Sequence, residues 1–353
     1  MRVHVTELRD GDRLSKDAFN SYGLHVLSEG TELYSREISK LYQHQIDYID
    51  IDDRVEMTAA TAARTLESGL SPKWLPTVEP IYDAAVKGCE QLFIDALQNG
   101  SVVMDDVVET FQPLVDNFRM ERDVVSMLLL LNTKDDYTYQ HSVQVGMLSY
   151  YLATWLGYDE KQAIVIGQAG FLHDIGKCQI EDDILNKPER LSEEEFGLIK
   201  QHTIFGYEII KRSFGDSIQA TVALQHHERI DGTGYPHSIN GEQMHPVSKI
   251  VAVADVYSAM ISSRVYQEKR DLLFVLKELH RMSFNELDPF TTHTFIKHMI
   301  PNFIGKQVEL QSGESGIIIM THPSEFFRPL VQINDEFIDL AVDRSLEVKH
   351  VYM

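Results

Sequence analysis

Phe171-Leu172-His173-Asp174-Ile175-Gly176-Lys177 lies near the middle of a 353-residue chain and sets an imidazole beside a carboxylate. A second dense cluster follows downstream, His226-His227-Glu228 leading into Asp231-Gly232-Thr233-Gly234-Tyr235-Pro236. An adjacent His-Asp pair offers one nitrogen and one or two oxygen ligands from a single turn of backbone, a set that suits a borderline divalent metal. Together the two clusters read as a metal-dependent hydrolase centre. Taken singly, a buried histidine is more often a hydrogen-bonded core residue than a ligand, so partners must come from elsewhere in the chain.

Counting offsets of three and four residues finds those partners on the inward faces of helices. His141, Val145, Leu148, Leu152 and Leu156 share one stripe, on a helix expected to stop at Gly157. Ile166, Gly170 and His173 form a second, in which Gly170 lets another backbone approach closely. A Ser192-x-x-Glu195 capping box opens a third helix with Ile199, His202 and Gly206 on one side. Val251, Asp255, Ser258, Ala259 and Ser262 make a fourth stripe, where an acid among small residues needs a partner. So many inward polar groups on separate helices would be costly without a purpose, and a bound metal supplies one.

The fold class that follows is mainly α, with a helical bundle over residues 131–300 carrying the site and a helical connector over 81–130 before it. Residues 1–53 alternate short strands (Arg2 to Val5, Leu24 to Leu27, Ile46 to Ile51) with turns and one helical stretch, Ser35 to Gln43, and read as a small α/β module. Residues 54–80 are rich in Thr, Ala, Ser and Pro and read as a linker. Residues 301–353 hold short β-prone runs at Val308 to Leu310, Gly316 to Met320, Leu330 to Ile333, Phe337 to Leu340 and Leu346 to Val351, and read as a small β-rich module.

Lys plus Arg number 32 against 54 Asp plus Glu, a formal charge of -22 that repels nucleic acid and acidic membrane surfaces at long range. A small anion can still bind where metals and local cations invert the field. Cys89 and Cys178 form no disulfide framework, which fits a reducing cytoplasm, and Cys178 reads as an inert thiol rather than a redox sensor. Met1 to Arg13 lacks an apolar signal core, and the best apolar run, Val124 to Leu131, is too short to span a bilayer. The expected protein is cytoplasmic, with no nucleic-acid or membrane partner.

In order and spacing, the motifs Asp136 to Ser142, His173 to Lys177, Lys200-Gln201-His202 with Gly206, His226 through Pro236 and Ala254 to Tyr257 resemble the HD-GYP family of HD-type phosphohydrolases. The resemblance covers about half the chain and implies an HD-type catalytic domain over residues 131–300 that hydrolyses cyclic di-GMP to pGpG or GMP. It further implies that His141, His173, Asp174 and Asp255 surround one metal and that Asp174, His202, His226 and His227 surround a second, with Asp174 bridging. A hydroxide held between two cations becomes available near neutral pH, because coordination drops the pKa of water from about 15.7 toward about 7. In this family the cations are expected to be iron or manganese, although the ligand chemistry also suits Co, Ni or Zn. Lys177 and Arg264 resemble cations that contact the substrate phosphates, and Gly234 and Tyr235 shape the mouth of the pocket.

Some departures carry information. Family members with a third metal hold it through a glutamate four residues before the first histidine, where this chain has Tyr137, so two metals are implied. Ser258 stands where aspartate is frequent and Gln267 where a base is frequent, departures that bear on substrate affinity. Another cyclic dinucleotide such as cyclic GMP-AMP is the alternative substrate. A catalytically weak binding or interaction module is the alternative role, and the terminal modules could serve a homodimer or a regulatory partner.

Overall fold

The computed structural model describes residues 2–4, 8, 12–19, 25–28, 30–34, 37, 41, 46, 48–52, 75–118, 137–187, 189–261, 272–334 and 336–352, which fall into two compact units, Met1–Pro72 and Lys73–Met353. In the first, β1 (Arg2–His4) pairs antiparallel with β6 (Tyr48–Asp50), β2 (Asp12–Arg13) with β5 (Glu32–Leu33), and β3 (Ala18–Phe19) with β4 (His25–Leu27). Leu14, Leu33, Leu41, Ile49 and Ile51 make its core. Strands β1, β4 and β6 lie inside the runs expected from alternation, whereas two-residue pairings such as β2 with β5 are too short to leave a period in the sequence. Of the helix expected over Ser35 to Gln43, positions 37 and 41 are described and both are helical.

The second unit opens with helix α1 (Leu75–Asn99), which starts inside the stretch read as linker. Pro76 occupies its first turn, where a missing N–H leaves no helical bond unmade, so a residue that reads as loop chemistry is here compatible with a helix start. Helix α2 (Met104–Phe118) buries Val107, Phe111, Leu114 and Phe118 at helical spacing. Helices α3 (Tyr137–Trp155) and α4 (Glu160–Leu172) follow; the first runs out in a turn closed by Gly157, whose φ is +89°, and the second is capped by a reciprocal Asp159–Gln162 box. A 3-10 turn, Ile175–Gln179, leads to α5 (Asp182–Leu185) and α6 (Glu193–Lys200), the latter opened by the expected Ser192–Glu195 box. Helices α7 (His202–Phe214), α8 (Ile218–Gln225), α9 (Pro246–Ile261), α10 (Leu272–Met282) and α11 (Pro289–Met299) complete the bundle.

One correction concerns the third helix of the sequence reading, which is two helices meeting at Gln201. The Gln201 amide bonds back three residues to the Leu198 carbonyl, and the Ile199 carbonyl accepts from the His202 ring instead of continuing the ladder. His202 therefore opens α7 rather than sitting in mid-helix.

Five antiparallel strands follow in the order β10 (Glu336–Asp339), β9 (Leu330–Ile333), β8 (Ser315–Met320), β7 (Gln307–Leu310), β11 (Val348–Tyr352). Each lies at or next to an expected β run. Val308, Leu310, Ile318, Val331, Ile333 and Val351 turn inward and join the same apolar core as α10 and α11, and Lys277 of α10 donates to the Val348 carbonyl at 3.1 Å. No helix among the described residues is long and apolar enough to cross a membrane.

Candidate metal centre

The seven residues singled out as ligands arrive from five places: His141 on α3, His173 and Asp174 just past α4, His202 at the start of α7, His226 and His227 after α8, and Asp255 on α9. Two steric allowances bring them together. Gly176 lies so close to the start of α7 that a Cβ would overlap the His202 carbonyl and the Gly206 amide, which sets Asp174 against His202. Gly234 is equally constrained, because a Cβ there would strike the backbone of His227, Glu228 and Arg229. Its role is this contact and not a left-handed φ; the positive φ of the loop belongs to Gly232, at +79°.

Asp174 is the hub. Its Oδ1 lies 3.3 Å from His202 Nε2 and 3.8 Å from His226 Nε2, while its Oδ2 lies 3.2 Å from His173 Nε2, 3.8 Å from His141 Nε2 and 2.5 Å from Lys177 Nζ. His141 Nε2 also meets Asp255 Oδ1 at 3.0 Å, and His227 Nδ1 stands 3.8 Å from Asp255 Oδ2. Asp174, His202, His226 and His227 form one set whose ligand atoms lie within 4.8 Å of one another, and His141, His173 and Asp174 form another. These are the two groups implied by the sequence resemblance, with Asp255 joining through His141 and His173, whose Nε2 is 3.8 Å from its Oδ1.

The donor set fits divalent ions. His173 Nε2 and Asp174 Oδ1 are buried and make no hydrogen bond, an arrangement that calls for a positive ligand-seeking group. His173, His202 and His226 each turn Nδ1 to a main-chain carbonyl (Gly170 at 2.6 Å, Ile199 at 2.6 Å, Ala223 at 3.0 Å), which leaves Nε2 directed at the centre. Burial pushes His202 down to about 4 and His227 to about 3, and it holds His226 well below its usual value with help from the neighbouring imidazoles. Neutral imidazoles are the form that ligates metal. Burial opposes the charged form of Asp174, but His173, Lys177 and His202 outweigh it and keep the carboxyl well below the usual range; His141 and His227 do the same for Asp255. His173 is the exception, since Asp174 and Asp255 outweigh burial and raise it.

These directions set a pH dependence for the metal-stripped protein. Unfolded, the imidazoles of His202, His226 and His227 take up protons near 6.5, whereas folded they resist until far lower, so stability falls as pH drops from 6.5 toward about 4. His173 acts oppositely, adding stability at low pH that is lost as pH rises through its raised folded value, but it stands against three. The contributions of Asp174 and Asp255 are lost only below 3.8, beneath this window. Thermal melts should therefore show a lower transition at pH 5 than at pH 7, and an unchanged or higher one would contradict the depressed histidines.

Around the centre, several residues make contacts that their sequence positions did not disclose. Glu228 is buried and accepts the His237 and Ile239 amides at 2.7 and 3.1 Å, stapling the loop that carries Tyr235; its place beside two ligands disguised a purely local role. The Tyr235 ring stacks on His227, with centroids 4.7 Å apart, and Lys200 Nζ lies over both Tyr235 and Phe196. Ser258 is buried against His141 Nδ1 at 3.1 Å, which places its departure from the family pattern beside a candidate metal ligand. Burial raises the Cys178 thiol to about 11, in keeping with an inert thiol. Arg264 and Gln267 lie outside the described residues, as do the side chain of Tyr137 and all of Ser262.

The HD domain family matches residues 124–290. A cyclic di-GMP phosphodiesterase of Pseudomonas aeruginosa is 30% identical over 350 residues, covering 94% of this chain and 84% of its own length. A 3'3'-cGAMP-specific phosphodiesterase of Vibrio cholerae is 34% identical over 167 residues, covering 46% of this chain and 39% of its own. Among solved structures, an HDG"Y"P protein from Bdellovibrio bacteriovorus aligns with 84% of this chain and 97% of its own at a TM-score of 0.48 and 18% identity.

Proposed function

The chain belongs to the HD-GYP family of HD-domain phosphohydrolases, and from that premise we propose that it is a metal-dependent phosphodiesterase that hydrolyses cyclic di-GMP to pGpG, GMP or both. The observation that carries the reading is the single Asp174 carboxylate directed at two histidine clusters, beside a relative named for this activity that matches along nearly the whole chain. His141, His173, Asp174 and Asp255 would hold one divalent ion and Asp174, His202, His226 and His227 a second, with Asp174 bridging. The family resemblance implies iron or manganese, and the mixed imidazole and carboxylate set also suits Co, Ni or Zn. Bound there, the ions would acidify water and neutralise phosphoryl charge.

The protein's own groups do the rest. Lys177, partly exposed and 2.5 Å from Asp174, holds its ammonium at the edge of the centre, where it can bind a phosphate oxygen and stabilise the charge that develops on it. Asp174 keeps that ammonium in place and its own carboxyl ionised. Tyr235, stacked on His227, walls the pocket mouth, and Gly234 sets how closely that wall approaches. Arg264, by resemblance to the family, is proposed as a second substrate-contacting cation. For the modules at residues 1–53 and 301–353 a regulatory or dimer-forming role stands beside a purely structural one, and the compartment proposed is the cytoplasm.

The test is to load the protein with manganese, or anaerobically with iron, measure bound metal, add cyclic di-GMP and separate the products by chromatography. The expected result is pGpG or GMP. Absence of product from protein carrying both metals would sink the cyclic di-GMP assignment. In that event 3'3'-cGAMP is the second reading, favoured by the Vibrio cholerae relative.

A further inference from the structure

Three of the buried ligand imidazoles are oriented by main-chain carbonyls, but His141 is oriented by side chains. Its Nδ1 lies 3.1 Å from Ser258 Oγ, and that hydroxyl donates to Gln144 Oε1 at 3.0 Å. A serine hydroxyl has one proton. With that proton on Gln144, the oxygen is set to accept from His141 Nδ1–H, the tautomer in which Nε2 offers its lone pair to a metal standing between it, Asp255 and Asp174. The Gln144 amide in turn reaches Tyr82 Oη at 3.5 Å, so the chain of contacts runs from α9 through α3 to α1, a helix that precedes the HD domain match at residues 124–290. Tyr82, Gln144, His141 and Ser258 are all buried.

We propose that Ser258, backed by Gln144, is a positioning residue that fixes the tautomer and orientation of His141. The metal position built on His141, His173, Asp174 and Asp255 thus depends on this relay, and the position built on His202, His226 and His227 does not. The inference rests on the two-metal reading above. It follows from how the relay is distributed: the second cluster has its own carbonyl anchors at Ile199 and Ala223, and nothing in the relay touches them. A hydroxyl that rotates is also a weaker guide than a fixed carbonyl, which is why the glutamine behind it matters.

The experiment is a manganese titration of the metal-stripped full chain, comparing wild type with S258A, S258T and Q144L, each checked for helical content by circular dichroism. Wild type should bind two equivalents. S258A should bind one equivalent as wild type does and the other about 10- to 100-fold more weakly, the size of effect seen when an outer partner of a metal-bound histidine is removed. S258T keeps a hydroxyl and should restore the wild-type pattern, while Q144L should weaken the same single position and serves as the test should S258A fail to fold. Two wild-type affinities in both S258A and Q144L would overturn the relay and leave the metal centre standing. Equal weakening of both positions would overturn its selectivity and indicate general damage. Wild type that binds no manganese would overturn the metal reading together with the relay.

Discussion

Asp174→Ala should leave a folded helical protein that holds neither metal and turns over more than about 10³-fold more slowly, a larger loss than removal of a single charge-stabilising donor typically brings. The size follows from position: Asp174 Oδ1 faces the His202–His226 side and Oδ2 faces the His141–His173 side, so one substitution removes an oxygen ligand from both groups. The fold should survive. His202, His226 and His227 are already held neutral by burial, so losing the anion strands no cation among them, and Lys177, partly exposed, can turn to water. His173 loses the nearer of the two carboxylates that raise it, so burial weighs more heavily toward its neutral form. Metal content, circular dichroism and product formation measured on one preparation decide the matter. Activity persisting with both metals in place would refute the bridging role.

Much of this centre was legible because its ligands obey two simple regularities. Buried helix faces repeat every three or four residues, so a histidine in phase with Val145 and Leu148, or with Ile166, must face inward before any coordinate is known. Adjacent pairs such as His173-Asp174 and His226-His227 advertise themselves. The β-rich end was readable for the same reason, since runs such as Leu330 to Ile333 alternate between core and surface. What the sequence concealed depends on contacts between distant segments. Ser258 and Gln144 each stand three residues after a ligand on different helices, a spacing that hints at a shared face but not at the bond between them. Glu228 sits beside His226-His227 and looks like a ligand, yet its carboxylate accepts the His237 and Ile239 amides from further along the loop. The break at Gln201 was hidden because the apolar period runs on across it, while the three-residue bond from the Gln201 amide and the ring of His202 on the Ile199 carbonyl mark it in the structure.

Gly176→Ala should be the most disruptive conservative change in the bundle, lowering stability by about 3 kcal/mol or more, the upper end of what overpacking a buried site costs. The neighbours that a Cβ would meet are the His202 carbonyl and the Gly206 amide, backbone atoms of α7 that cannot rotate aside as the end of a side chain could. Relief therefore requires the 3-10 turn and the start of α7 to separate. That movement acts on the centre directly, because Asp174 lies two residues before Gly176 and its Oδ1 must stay near His202 Nε2, now 3.3 Å away. The variant should thus bind metal poorly at the His202, His226 and His227 side even at temperatures where its helical content is intact. Gly197→Ala provides the control. Gly197 lies within α6 with nothing near the position of a Cβ, so alanine there should be neutral or stabilise by up to about 1 kcal/mol through helix propensity. Thermal unfolding and metal titration of the two variants side by side would separate a contact that builds the site from an ordinary glycine. If Gly176→Ala melted and bound metal as Gly197→Ala does, the close approach of the turn to α7 could not be what sets Asp174 in place.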